Sequence, residues 1–332
     1  VSGPPTRRAH RGVAALLLAL VGCRAAPIAE AARWPGIAWG SRYQVVDGTT
    51  LRVIDSGTGP AVVFVHGLGA SLYAWRALLP PVLGAGYRVV AFDNRGFGFS
   101  ERPDSGYDNA AYERLLVALL DSLDIADAVL IGHSMGGAIA AQVAIDHPAR
   151  VRGLVLIGSA GYGVSEPWTL RLARVPLAGR LLSTLRGRWT VAQLLRSTYA
   201  DPHRVTEADV DQYYAAAAVP RSTVALRGVF RAFRFDRLRG SLGRIQAPTL
   251  LIWGAQDRWI HPALGQAMAL ELANGALVAI PAAGHDAHEE RPDDVAATIV
   301  AFLRDGLPRP PGDLAVMSRW VDNSTNQLTL GE

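Results

Sequence analysis

Six short apolar runs set the fold class: AVVFVHG from Ala61, RVVAFDN from Arg88, AVLIGHS from Ala128, RGLVLIGSA from Arg152, TLLIWGA from Thr249 and ALVAIPA from Ala276. Segments of helical pattern separate them, and strands alternating with helices predict an α/β fold, a mostly parallel central sheet with helices on both faces. In such sheets ligands collect at the carboxyl ends of the strands. A chain of 332 residues, half of them apolar, is long enough for one large core of this kind with an inserted subdomain. Upstream, YQVVDGTTLRVIDSG places two alternating runs around Asp47-Gly48, which is a hairpin signal. Gly57 and Gly59 follow it, but a strand rather than a helix comes next, so they do not make a dinucleotide fingerprint.

The third run changes character at one serine. In VLIGHSMGGAIAAQVAIDH, Val129 to His147, β-branched residues give way at Ser134 to small residues at helical spacing. Gly-His-Ser-Met-Gly in a strand-to-helix context fits the nucleophile elbow. Ser134 is expected in a strained backbone conformation with its hydroxyl pushed out at the sheet edge, and Gly132 and Gly136 stand where side chains would collide. Gly137, Ala140 and Ala141 let the helix lie close on the sheet.

A serine hydroxyl needs a base to take its proton, and the base needs a third group to hold its tautomer. The expected chain order after this elbow is serine, acid, histidine. Asp257 stands just past the apolar run TLLIW, and His285 lies in the loop after the last run. The strand ending at Gly158 has no acid at its mouth except the more distant Glu166; Asp286, adjacent to His285, would face the wrong way in most loop conformations. Acyl transfer also needs donors for the oxyanion. The N–H groups of Met135, directly after the serine, and of Leu68, in the loop VHGLGAS shaped by His66 and Gly67, are the candidates.

The remaining chemistry is narrow. All 33 basic residues are arginine, which excludes lysine Schiff bases and a Walker-type phosphate loop. His285, His288 and Glu289 match neither zinc-protease spacing, so neither metal nor cofactor is expected. His133 and His288 read as supports of the turn or fillers of a polar pocket; His147, His203 and His261 lie at helix ends or in the insert. A net charge of +4 gives no ground for a nucleic-acid partner.

Together HGLGAS, FDNRGFGFS, GHSMGG, WGAQD and PAAGHDAHEERP resemble the α/β-hydrolase superfamily, in the branch whose helical cap covers carboxylesterases and carbon–carbon bond hydrolases. The similarity covers roughly Tyr43 to Arg304. It implies Ser134, Asp257 and His285 as the catalytic triad, Leu68 and Met135 as the oxyanion hole, and Arg95 as a structural arginine. A serine at 134 sets the chain apart from the dehalogenase and epoxide-hydrolase subfamilies, which use aspartate there. Asp286 stands where many carbon–carbon hydrolases carry an aromatic. The expected activity is therefore hydrolysis of a small-molecule ester, with carbon–carbon hydrolysis the first alternative and a non-catalytic binding protein on the same fold the second.

The N-terminus reads as an address. Arg7, Arg8 and Arg11 precede GVAALLLALVG, which is too short to span a bilayer, and Leu-Val-Gly-Cys23 resembles a bacterial lipobox. Cys23, the sole cysteine, is the expected lipidation site, and Arg24 after it favours the outer membrane of the cell envelope. The expected divisions are a signal peptide (1–22), a tether (23–42), a hydrolase core (43–160 and 247–304), a helical cap (161–246) and an unstructured tail (305–332). From Gly161 to Pro248 there are 14 arginines against six acids. Arg227, Arg231 and Arg234 recur at helical spacing with Phe230 and Phe233 between them. They read as a solvated face or as a surface that leans on an anionic membrane. The oligomeric state is not legible.

Overall fold

The structure, a computed structural model, describes residues 40–163 and 187–307. Cys23, the signal-peptide and tether segments up to 39, Glu166 and nearly all of the expected tail lie outside these. Eight strands form one sheet in the order β1-β2-β4-β3-β5-β6-β7-β8. β1 (Arg42–Val46) and β2 (Thr49–Ser56) make the expected hairpin. Asp47 and Gly48 carry φ of 46° and 67° at its turn, as a tight hairpin turn requires. β2 runs antiparallel to β4 (Arg88–Phe92), and every further pair is parallel: β3 (Ala61–Val65), β5 (Ala128–His133), β6 (Val151–Ile157), β7 (Thr249–Gly254) and β8 (Gly275–Ile280).

The apolar runs are continuous because the inner strands are buried on both faces. In β3, Val63 and Val65 point to one apolar layer and Val62 and Phe64 to the other; in β7, Leu251 and Trp253 oppose Leu250 and Ile252 in the same way. The first layer is closed by α2 (Asn109–Ser122), α3 (Met135–Asp146) and α7 (Pro262–Glu271), which contribute Leu115, Leu116, Ile139, Val143 and Met268. The second is closed by α1 (Leu79–Gly84) and α8 (Pro292–Asp305), through Leu79, Val82, Val295, Ile299 and Phe302.

Between β6 and β7 the described residues hold helices and no strand: α4 (Arg188–Thr198), α5 (Glu207–Ala218) and α6 (Ser222–Ala232). The start of α5 is fixed by a capping box, in which the Thr206 hydroxyl accepts from Asp209 N–H and the Asp209 carboxylate accepts from Thr206 N–H. Ala225 and Val229 turn one face of α6 into the core and leave Arg227 half-buried and Arg231 exposed. Phe233 departs from the expected surface stripe. It is 3% exposed and packs against Tyr112 and Phe235, because a ring of that size contributes more by burial than by display. No described helix is long and apolar enough to cross a membrane.

Candidate active site

The elbow forms as the glycine spacing requires. Ser134 sits between β5 and α3 with φ 52° and ψ −118°, a region that L-residues rarely occupy. Its N–H donates to Ile157 O at 3.0 Å and its carbonyl accepts from Ala160 N–H at 3.0 Å, so β6 and the residues after it hold the strain in place. A Cβ on Gly136 would drive into the Val65 carbonyl, and one on Gly132 would come within 2.5 Å of the Gly136 carbonyl oxygen. These two contacts are backbone against backbone and have no side chain to move aside.

Residues 134, 257 and 285 come from three strand ends and meet in one chain of hydrogen bonds. The Ser134 hydroxyl lies 3.0 Å from His285 Nε2, and His285 Nδ1 lies 2.9 Å from Asp257 Oδ2. The other Asp257 oxygen accepts from Trp259 and Ile260 N–H, both at 2.8 Å. A buried carboxylate so held keeps its charge facing the imidazole. The ring hydrogen therefore sits on Nδ1, and Nε2 keeps its lone pair toward the serine. Burial pushes the His285 imidazole down, but the charge of Asp257 and its hydrogen bond outweigh this and raise its pKa above the ordinary histidine value.

The loop after β3 is built around His66. Asn94 N–H donates to His66 Nε2 at 2.8 Å, so Nδ1 carries the hydrogen and donates to Gly67 O at 2.8 Å. Ala70 N–H donates to the same carbonyl. In a trans peptide the N–H points opposite to the C=O, so Leu68 N–H is turned away from those partners. Among the described residues neither Leu68 N–H nor Met135 N–H has an acceptor. The loop passes close to the serine: a Cβ on Gly67 would lie 3.1 Å from Ser134 Cβ.

Behind the triad lies a polar cluster that chain order did not foretell. Asp286 turns away from the His285 ring, toward His133 Nε2 at 3.3 Å, and it accepts a hydrogen bond from the Thr198 hydroxyl. The His133 and His288 rings meet at a tilt of 45° with centroids 4.4 Å apart, and the Trp75 ring lies 4.9 Å from that of His288. Burial drives His133 well below the ordinary histidine range and His288 to about 3, so both rings are neutral. His133, Asp286 and His288 could each offer one metal ligand, with the candidate ligand atoms within 4.8 Å of one another. His133 Nε2 already faces His285 O at 3.2 Å, and its Nδ1 faces Gly67, so the group packs as a polar core rather than converging on one point. Glu290 is a further residue that spacing alone could not single out: its buried carboxylate accepts from Gly284, Ala200 and Asp201 N–H.

The arrangement can move a proton from a hydroxyl to a neutral imidazole and steady the imidazolium that results. Comparison with known proteins agrees with this chemistry. Residues 60–292 match the family described as the alpha/beta hydrolase fold, and the chain belongs to that family. A 2-hydroxymuconate semialdehyde hydrolase of Pseudomonas sp. (strain CF600) is 33% identical over 271 residues, covering 79% of this chain and 93% of that protein. The enol-lactonase of Burkholderia xenovorans LB400 superposes with a TM-score of 0.69 at 26% identity, over 79% of this chain and 99% of its own. A bacterial membrane phospholipase A gives 0.68 at 29% identity, over 80% and 86%.

Proposed function

We propose that this α/β hydrolase cleaves a carboxylic ester through an acyl-enzyme on Ser134. The observation that carries the reading is the unbroken line from Ser134 Oγ through His285 to Asp257, beside two backbone N–H groups with no acceptor among the described residues. His285 Nε2 takes the hydroxyl proton as Ser134 Oγ attacks the ester carbonyl. The N–H groups of Leu68 and Met135 receive the negative charge on the former carbonyl oxygen. The imidazolium then gives its proton to the departing alkoxide, which leaves as the alcohol. Water, deprotonated by the same imidazole, attacks the acyl group; collapse of the second tetrahedral intermediate returns the proton to Ser134 and frees the acid. Similarity to an enol-lactonase and to a phospholipase, both acting on esters by their names, supports this choice.

Carbon–carbon hydrolysis is the second reading, favoured by the 33% identity to a semialdehyde hydrolase. A series of p-nitrophenyl esters of graded chain length, assayed beside a vinylogous diketone acid, separates the two. Ester turnover with covalent labelling of Ser134 by a fluorophosphonate is expected, and both should vanish in Ser134→Ala. Turnover of the diketone acid alone would transfer the proposal to the second reading.

The finer placement is part of the proposal: Cys23 lipidated, the enzyme tethered to the cell envelope, and substrate drawn from an anionic membrane surface. Cys23→Ser should release the protein from the membrane fraction and abolish incorporation of labelled fatty acid. Of the arginines expected at that surface, Arg231 is exposed and Arg227 half-buried on α6, while Arg234 lies 3.4 Å from Asp236. Substituting Arg227 and Arg231 by Gln should weaken binding of the Cys23→Ser protein to anionic vesicles at low salt. Binding indifferent to salt and lipid charge would remove the membrane from the proposal.

A further inference from the structure

The loop that carries His285 is gripped by the insert between β6 and β7. His285 N–H donates to Thr198 O at 2.6 Å, at the end of α4. Gly284 N–H donates to Glu290 at 2.7 Å, and the same carboxylate accepts from Ala200 and Asp201 N–H at 2.9 and 2.7 Å. A Cβ at Gly284 would collide with the Thr198 carbonyl, so the two chains touch backbone to backbone. The Thr198 hydroxyl also donates to Asp286.

One cation closes the same seam from below. Arg76, at the end of the short 3₁₀ turn Leu72–Trp75, donates to Asp209 of α5 at 2.7 Å and to Glu289, four residues past His285. Its guanidinium lies 4.0 Å from the Tyr73 ring centroid. The Tyr73 hydroxyl donates to Asp209 at 2.7 Å, and the Tyr213 hydroxyl of α5 donates to Glu289. The side chains of Asp209 and Glu289 are 8% and 1% exposed. A single positive charge thus joins the loop after β3, the insert and the segment after His285. Burial raises Glu289 to about 7 even with Arg76 beside it. Without Arg76, two buried carboxylates would face each other across the seam with no cation between them.

We propose that the insert is part of the device that aims His285 at Ser134, and that Arg76 is the positioning residue that locks it there. The inference rests on the serine-hydrolase reading above. It makes activity depend on how the insert is seated, in addition to any control over substrate entry.

The test compares the full chain with Arg76→Met, Arg76→Lys and Glu289→Gln, and with Arg88→Ala as a control. Arg88 forms a two-bond pair with Asp55 between β2 and β4. In Arg76→Met the expected result is a fall in kcat on the order of 10²-fold with KM within about 3-fold, because misaimed groups cost turnover more than binding. Fluorophosphonate labelling of Ser134 should slow in parallel, Arg76→Lys should recover part of both, and Arg88→Ala should keep wild-type labelling. Equal labelling rates in wild type and folded Arg76→Met would overturn the proposal. Absence of labelling in the wild type would instead overturn the serine-hydrolase reading. Hydrogen exchange on the unmodified protein needs no folded variant. Gly284 and His285 amides should open together with Ala200 and Asp201, and protection of the first two that outlasts opening of the second two would refute the coupling.

Discussion

His288 is the residue whose replacement tests the buried polar cluster most directly. The ring is fully buried between Trp75 and His133, and neither nitrogen has a hydrogen-bond partner among the described residues. Burial, helped by Arg76 and His285, holds its pKa at about 3, against 6.5 for an unperturbed histidine. The folded protein thus keeps this ring neutral while the unfolded chain protonates it. A depressed folded value means that the contribution to stability is intact above the unfolded pKa and is lost as pH falls below it. Between pH 7.5 and 5.0 that loss is about 2 kcal/mol, from 1.36 kcal/mol per pH unit over the 1.5 units below 6.5.

His288→Leu removes the titration and replaces a ring without hydrogen-bond partners among the described residues by an apolar side chain, a change that is near neutral or stabilising when no hydrogen-bond partner is orphaned. Urea unfolding at both pH values should show the variant gaining about 2 kcal/mol on wild type at pH 5.0 relative to the difference at pH 7.5. All other groups titrate in both proteins and cancel in that comparison. Among them is Glu289, whose raised value works with the opposite sign and weakens the fold as pH rises toward about 7. A difference between the two proteins that stayed constant from pH 7.5 to 5.0, with unchanged m-values, would refute the claim that His288 is held neutral by burial.

Three further outcomes follow from the site. Ester hydrolysis should rise with pH through a single group above the ordinary histidine value, because His285 acts only when neutral and Asp257 raises its pKa; a kcat/KM profile flat from pH 5 to 9 would contradict this. Asp257→Asn should cut kcat by about 10⁴-fold and move that midpoint downward, since burial of His285 is then opposed only by the charge of Asp286; stopped-assay kinetics and the pH profile check both. Gly136→Ala should cost about 3 kcal/mol or more, or prevent folding, because the added methyl meets the Val65 carbonyl and no side chain can yield; thermal unfolding of the soluble fraction measures it.

Much of the fold was written locally. Each inner strand is a continuous apolar run, each elbow glycine sits where a Cβ would strike backbone, and Asp47-Gly48 supplies the positive φ values that its turn demands. These are short-range steric and burial effects, and periodicity records them. The chain order of serine, acid and histidine was legible for the same reason, since each stands at a strand end and parallel strands bring those ends to one edge. The partners of the triad were not legible. Arg76 meets Glu289 across 213 residues and Asp209 across 133, and Thr198 reaches Asp286 across 88. Nothing in the local pattern of an arginine, a threonine or a glutamate says which distant backbone it will satisfy. Phe233 shows the same limit, for helical spacing placed it in a surface stripe and packing against Tyr112 buried it. The sequence by itself determined the elements and the three side chains that meet in one hydrogen-bonded chain, because sterics and hydrophobic burial act over a few residues. The seam that holds His285 was decided only when buried charges and backbone groups from distant segments had to find partners in a low-dielectric interior.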